Sequence, residues 1–521
     1  MHRKQARWAS GTGFSAILLC VTTGVGTALG AAAASSDVRR PNFLLITADD
    51  MNWDAPGCFG GAAPEITPNI DRLASEGIRF LHAHVTNPVC TPSRSVWLTG
   101  RYPHRCGVEG FQPIREGVAT LPAVLGETGY FCATMCKPLG QQETFRWARE
   151  YREPLKGAIH AIGRRPQAFA AFARQVFETA AEQGKPFFLM ANSTDPHRPF
   201  HGSDEAKRRF GHKGYEVPDP SRTYTPDEVE IPDFLPDLPD IRRELACYCN
   251  SVRRCDDTVG ALLKVLRDAG HEHDTVVMFL SDNGMAFPMA KTNCYMQSTR
   301  TPWIVRWPAR IEAGSTDGEH FVSGIDLMPT VLELAGAALP EGMDGASFTP
   351  LLEGKSQPGR DKVFTQFYHI HGRHPYPMFS VQTARFGYIF NPWSDGRRVY
   401  TAEPLSGLTF EAMVRAAEDH PEIAERVRTI RYRSVEEFYD YQADPGAWHN
   451  LIDDPRYADE IESMRTELKR WMCRTGAPGR EAFAQRDDPA ALDAFMRDYS
   501  ARVAREIEAR KVYEERTGHA F

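Results

Sequence analysis

Three apolar runs, each leading into acidic or amide residues, constrain this chain more than any other feature. Asn42-Phe43-Leu44-Leu45-Ile46-Thr47 runs into Ala48-Asp49-Asp50. Lys185-Pro186-Phe187-Phe188-Leu189-Met190-Ala191 leads to Asp195-Pro196-His197, and Thr275-Val276-Val277-Met278-Phe279-Leu280 ends at Ser281-Asp282-Asn283-Gly284. Apolar runs without polar alternation read as strands buried on both faces, the parallel-sheet type. Between them, residues 67–77 read as a helix with Thr67 as cap, Pro68 in the first turn and Gly77 as stop. Residues 240–269 carry helical periodicity, and Trp303-Ile304-Val305 and a helix over 325–336 continue the alternation. The pattern predicts an α/β fold over residues 38–360, a mixed, mostly parallel sheet with helices on both faces. Ligands of such sheets bind outside the carboxyl ends of the strands. Asp49, Asp50, Asp282 and Asn283 are therefore candidate metal ligands. Three carboxylates and an amide oxygen form a hard-oxygen set, suited to Ca²⁺ or Mg²⁺ rather than zinc.

Near residue 360 the pattern changes. Val363–Tyr368, Phe379–Thr383, Phe386–Phe390 and Glu437–Tyr441 read as short antiparallel strands, with helical stretches at 407–430 and 456–474. Residues 361–521 are expected to form a smaller α+β unit, with an amphipathic, solvent-facing helix over 488–515. The chain has 521 residues, 42% of them hydrophobic and 25% charged, which excludes collagen, coiled coil and extended disorder. A formal charge of −7 argues against general nucleic-acid binding.

The N-terminus carries Arg3, Lys4 and Arg7, then an apolar, Ala-rich run from Phe14 to Ala34. It reads as a secretory signal over 1–34, placing the mature chain in the periplasm or medium with no stable membrane insertion; an uncleaved anchor is the alternative. Eleven cysteines are scattered along the chain. Cys132/Cys136 and Cys247/Cys249/Cys255 lack the paired spacing of a zinc site.

The densest signal is Cys90-Thr91-Pro92-Ser93-Arg94-Ser95-Val96-Trp97-Leu98-Thr99-Gly100-Arg101. It fits C-x-P-S-R-x-x-x-L-T-G-R at every fixed position, and here the chain resembles the type I sulfatases. The resemblance implies an alkaline-phosphatase-like fold. It also implies conversion of Cys90 to Cα-formylglycine by a formylglycine-generating enzyme. A hydrated aldehyde offers one hydroxyl to attack sulfur and a second to expel sulfate. By the same resemblance Asp49, Asp50, Asp282 and Asn283 hold a divalent cation, usually calcium, that also touches the residue at Cys90. Arg94 would hold the formylglycine, Lys137 and Lys291 would face the sulfuryl oxygens, and His197 would meet the sulfate and the leaving group.

One departure stands out. The family has a histidine two residues after the lysine; here Pro138-Leu139 follow Lys137, and Cys136 stands where the family has glycine. In the family that histidine is thought to take a proton from the diol. A neighbour could substitute, His104 being the nearest motif histidine, although a structural contact is the expectation for His104.

Asp195-Pro196-His197-Arg198, Phe287-Pro288 with Lys291-Thr292-Asn293, and His374-Pro375-Tyr376-Pro377-Met378 resemble the sulfamidase branch. The substrate expected from it is a sulfated amino sugar or glycosaminoglycan. The late signature Phe438-Tyr439-Asp440 with Asp444-Pro445 reads as a fold-stabilising turn. The cluster His369/His371/His374 would either meet sugar at a cleft rim or form a solvated loop. An O-sulfatase on another glycan, a phosphonate or phosphodiester hydrolase of the same superfamily, and a weakly catalytic glycan binder remain alternatives.

Overall fold

The computed structural model describes residues 40–137, 142–151, 159–211, 217–370 and 374–517. The expected signal segment, the Pro138-Leu139 departure and His371 lie outside these residues. Arg40–Phe521 forms one compact unit.

Its main sheet has eight strands: β1 (Asn42–Asp49), β2 (Ile78–His84), β3 (Phe131–Met135), β4 (Arg149–Glu150), β5 (Phe187–Pro196), β6 (Thr275–Ser281), β7 (Trp303–Arg306) and β8 (Ser315–Ser323). The order is β4-β3-β5-β1-β6-β7-β2-β8. Every adjacent pair is parallel except the two that β7 makes, with β6 and with β2. The fold is thus the mixed, mostly parallel α/β class that the alternation predicts. The three apolar runs are its centre, β1 lying between β5 and β6.

Side chains of a strand point alternately to opposite faces, and the core divides accordingly. Leu44, Ile46, Leu189, Ala191, Val277 and Phe279 enter one cluster, with the helices Pro166–Glu182 and Pro239–Asp268 packed on it. Phe43, Leu45, Phe188, Met190, Met278 and Leu280 enter the other, under Trp97 and Leu98 of the Cys90–Thr99 helix and under Leu327–Leu334. Both faces are covered, so these strands need no polar side and read as continuous apolar runs.

A second sheet, β9 (Lys362–Phe367), β10 (Met378–Thr383), β11 (Phe386–Phe390) and β12 (Glu436–Asp440), is antiparallel throughout, in the order β12-β11-β10-β9. Two expectations for this region need correction. The stretch 407–430 is two helices, Leu408–Ala416 and Pro421–Tyr432, because Pro421 cannot continue the first. The final helix, Pro489–Thr517, is not simply solvent-facing. Leu492, Met496, Tyr499 and Val503, one face of its first half, are buried beside Trp471 and Phe379. Tyr499 and Arg502 of this helix bond the Glu109 carboxylate, each at 2.7 Å.

Candidate active site

The strand pairing brings the acidic strand ends together. Ala48 lies opposite Ser281, and Asp49 lies opposite Pro196 after an irregularity in the β1–β5 register. Asp49, Asp50, Asp282 and Asn283 are all fully buried. The Asp50 amide donates to Asp282 Oδ1 at 3.1 Å, and Asn283 Nδ2 donates to Asp50 Oδ1 at 2.7 Å.

Arg94 binds this end of the sheet together. It projects, buried, from the second turn of the Cys90–Thr99 helix. Its Nη1 donates to Thr47 Oγ1 (2.7 Å) on β1 and Asn192 Oδ1 (2.6 Å) on β5. Its Nε and Nη2 grip Asp282 Oδ2 at 3.1 and 2.8 Å, just beyond β6. A planar fork with fixed donors suits this task, and an ammonium does not. Arg94 thus joins three strand ends and sets the Asp282 carboxylate.

Two lysines face the other carboxylates. Lys137, 15% exposed, pairs with Asp49. Lys291, 3% exposed, donates to Asp50 Oδ2 at 2.8 Å and to Glu403 Oε2 at 2.6 Å. Burial alone would raise the Asp49 pKa, but Lys137, His197, Arg94 and Lys291 hold it well below the usual carboxylate range. Asp282 moves the opposite way, because burial and the Asp49 carboxylate outweigh Arg94. Asp50, Cys136, Lys137, Met289 and Thr292 all have positive φ, from 45° to 72°. Such backbone is costly for non-glycine residues and concentrates at functional sites. Here it presents Asp50 and both lysines.

His197 follows β5. Its Nδ1 donates to the Arg198 carbonyl at 2.6 Å, which fixes the tautomer. Nε2 is then the acceptor of the neutral ring, free to take a proton and pass it on, 3.8 Å from Asp50 Oδ2 and 3.9 Å from Glu403 Oε1. Arg164 steadies this corner: its Nη2 donates to the His197 carbonyl at 2.7 Å and its Nη1 to the His160 carbonyl at 2.5 Å. The Asp195 carboxylate accepts from Arg254 at 2.7 and 2.9 Å and pairs with Arg164 at 3.2 Å. Asp195 is therefore a structural anchor beneath His197.

Cys90 opens its helix, half-buried, with Lys137, Asp49, Asp282 and Lys291 as charged neighbours. Burial pushes its thiol up to about 11, so as cysteine it is not a thiolate nucleophile at neutral pH. All ten described cysteines are free.

The carboxylate and amide set fits a hard cation. Asp49 Oδ1 and Asn283 Oδ1 are buried with no hydrogen-bond partner, and Asp49 Oδ2 has only its ion pairs. Asp49, Asp50 and His197 offer atoms within 4.8 Å of one another. Buried acceptors without donors are costly unless a ligand satisfies them.

The structure thus gathers Cys90, Arg94, Lys137, His197, Lys291, Asp49, Asp50, Asp282 and Asn283 at the edge formed by the carboxyl ends of the central strands. His104 stands apart as a packing contact, with Nδ1 against Gln366 Oε1 (2.9 Å) and Nε2 against the Thr475 carbonyl (3.2 Å). His369 is buried against Gln112, so it belongs to neither a sugar rim nor a solvated loop. Two residues escape the sequence reading. Glu403 comes from a short turn far along the chain. Burial, with the charges of Lys137, Arg209, Arg164 and His197, holds His160 down to about 3, so its ring is neutral. Neither carries a local motif.

A cleft of 840 Å³ opens beside this edge, lined by His197, Arg198, Tyr224, Glu244, Glu403 and Gly407 among others.

Comparison with known proteins agrees with the geometry. The sequence matches the Sulfatase family over residues 41–337 and the family "N-sulphoglucosamine sulphohydrolase, C-terminal" over 289–395. Human N-sulphoglucosamine sulphohydrolase is 31% identical over 469 residues, covering 84% of this chain and 91% of that protein. An ulvan-active sulfatase of Formosa agariphila is 26% identical, covering 84% and 76%. A structure solved with its substrate D-glucosamine-2-N,6-O-disulfate superposes with a TM-score of 0.64 at 20% identity, covering 84% of this chain and 98% of that one. A phosphonate monoester hydrolase of Agrobacterium radiobacter superposes at 0.59 and 18% identity, covering 84% and 96%. At those identities the two structures establish the alkaline-phosphatase-like fold alone. With its sheet, its strand-end carboxylates and its family matches, this chain is a sulfamidase-like hydrolase and belongs to the sulfatase family.

Proposed function

We propose that this chain releases sulfate from a sulfated amino sugar, as a free sugar or a glycosaminoglycan end, through a formylglycine at position 90. The observation that carries the reading is the meeting of Cys90, at its helix start, with the buried strand-end acceptors Asp49 and Asn283 beside an open cleft. Asp49, Asp50, Asp282 and Asn283 would hold Ca²⁺, with Mg²⁺ the lesser candidate. When bound, the cation supplies Lewis-acid polarisation of a sulfuryl oxygen. The hydrated aldehyde supplies the oxygen nucleophile.

The chain's own residues do the rest. Lys137 and Lys291 place two ammonium groups where negative charge builds on the sulfuryl oxygens. His197 Nε2 holds the proton for the leaving atom, its ring fixed through Nδ1. Arg94 holds Asp282 and the strand ends in register. We place the chemistry in residues 38–360, with 361–521 supplying Glu403 and one side of the cleft. Export through residues 1–34 and modification by a formylglycine-generating enzyme belong to the same proposal. No helix among the described residues is long and apolar enough to cross a membrane.

The test is sulfate release from N-sulfo-D-glucosamine by protein made in a host that supplies the modifying enzyme. The wild type should release sulfate and Cys90→Ala should not. Equal release by both, or tight binding without release, would overturn the proposal.

A further inference from the structure

Glu403 is a carboxylate in an improbable place. A centre that must bind a sulfate anion carries, at its mouth, a further negative group. Its side chain is 30% exposed toward the cleft, whereas its partner Lys291 is 3% exposed. Oε2 is taken by Lys291 at 2.6 Å. Oε1 lies 3.9 Å from His197 Nε2, beyond a direct hydrogen bond.

The fold holds it there. Tyr400, three residues earlier and buried, donates to the Thr292 carbonyl at 2.6 Å, tying this segment to the loop that carries Lys291. Four residues later Gly407 touches Arg198 and Glu244 so closely that a Cβ would lie 2.3 Å from Arg198 Nη2 and 2.4 Å from Glu244 Oε1. Glu244 also accepts the amides of Leu408 (3.2 Å) and Thr409 (2.7 Å). The Glu403–Ser406 turn is thus clamped on both sides.

We infer that Glu403 reads the atom linking sulfate to the sugar and selects nitrogen over oxygen. The inference rests on the proposed function, in which His197 Nε2 faces the leaving atom. An atom at that position also meets Glu403 Oε1. In a sulfamate the linking atom is an N–H, a donor that a carboxylate accepts. In a sulfate ester it is an oxygen with lone pairs only, which a carboxylate repels. A site built to accept a hydrogen bond rejects the analogue that lacks the donor, because its polar group is left unpaired.

The net reaction balances on the same contacts. The sulfur–nitrogen bond breaks and its electron pair stays on nitrogen. That nitrogen takes a proton from His197, and a sulfur–oxygen bond forms with the oxygen derived from water, whose two protons return one to His197 and one, through solvent, to the released amine. Sulfamate anion plus water gives an ammonium sugar and sulfate dianion. The ammonium product is the cation that Glu403 pairs with best.

The test compares 2-sulfamino-D-glucose with D-glucose 2-sulfate, substrates that differ only in the linking atom, on wild type, Glu403→Gln and Glu403→Ala. Both substrates are measured on each preparation, so the fraction of folded, modified enzyme cancels in the ratio of their kcat/KM values. The wild type should favour the sulfamate. Each substitution should lower that preference at least tenfold, by losing sulfamate activity, gaining ester activity, or both. If Glu403 serves only to hold Lys291, both substrates fall by the same factor, and that result overturns the inference. So does a wild type that favours the ester, or a change in the sulfamate-to-ester ratio below threefold in both variants. Release from neither substrate by wild type, with an aldehyde at position 90, overturns the proposed function and this inference together.

Discussion

The buried cluster under His197 gives the sharpest stability prediction. Asp195 is fully buried between two buried guanidiniums, with Arg254 at 2.7 and 2.9 Å and Arg164 at 3.2 Å. Asp195→Ala leaves two like charges facing each other without a counterion. Breaking a buried pair by removing one partner costs about 3–5 kcal/mol. An unfolding entropy near 2.1 cal/mol/K per residue makes 1 kcal/mol worth roughly 1 °C in a unit of this size, so the midpoint should fall by about 3–5 °C. The assay is thermal unfolding followed by near-UV circular dichroism at a fixed scan rate. The double variant Asp195→Ala/Arg254→Met removes one stranded charge and should recover at least half of the loss. Because Arg164 also bonds the His197 carbonyl, the single variant should lose activity beyond its loss of folded protein. A midpoint within about 1 °C of wild type, or a double variant no better than the single one, would refute the reasoning.

Other consequences can be checked in the same preparations. Asp256 on the Pro239–Asp268 helix accepts the Asn69 amide at 3.0 Å and the Ile70 amide at 2.8 Å, capping the Pro68–Ser75 helix. Asp256→Ala should cost about 2–3 kcal/mol in the same unfolding assay, and Asp256→Asn less, since one acceptor remains. Chelation should abolish sulfate release. It should also lower the midpoint by about 3 °C if the cation was present at a hundredfold its Kd, where binding contributes about 2.7 kcal/mol; an unchanged midpoint and rate would remove the metal from the account. The buried histidines contribute to the pH dependence with a definite sign. Burial holds His82, His84, His104 and His160 below the ordinary histidine pKa of 6.5. Their neutral forms belong to the folded state, so the stability is fully present above 6.5. It is lost on acidification, as the unfolded chain gains protons that the folded chain refuses. For His160 the loss continues down to about 3. Between pH 6.5 and 4.5 the unfolding midpoint of the wild type should fall more, or rise less, than that of His84→Gln, because the buried carboxyls Asp256 and Asp282, whose pKa is raised, act with the opposite sign and equally in both proteins; equal slopes would contradict this.

Much of the fold was legible in sequence where burial is two-sided. β1, β5 and β6 lie at the sheet centre with helices on both faces, so their apolar runs stand out. β2 and β8 lie toward one edge of the sheet. β8 is mostly polar in its first six residues, Ser315-Thr316-Asp317-Gly318-Glu319-His320, and leaves no such run. The last helix looked solvent-facing because its apolar residues are sparse, yet four of them at alternating spacings of four and three suffice to seat one face. Site residues were legible where chemistry sits at strand ends or in the Cys90 motif. Glu403 was not, since only tertiary contact with Lys291 and the clamp at Gly407 give it meaning. Arg94 was read as a partner of the nucleophile, while the structure shows its donors spent on Thr47, Ala48, Asn192 and Asp282.

The central claim is that position 90 carries an aldehyde that makes this fold a sulfatase. The most direct measurement is the mass of the peptide spanning Cys90–Arg101, taken from active protein whose sulfate release has just been assayed. The account predicts an aldehyde in place of the thiol, in a fraction that tracks specific activity from preparation to preparation. An intact thiol in protein that releases sulfate at full rate would contradict it.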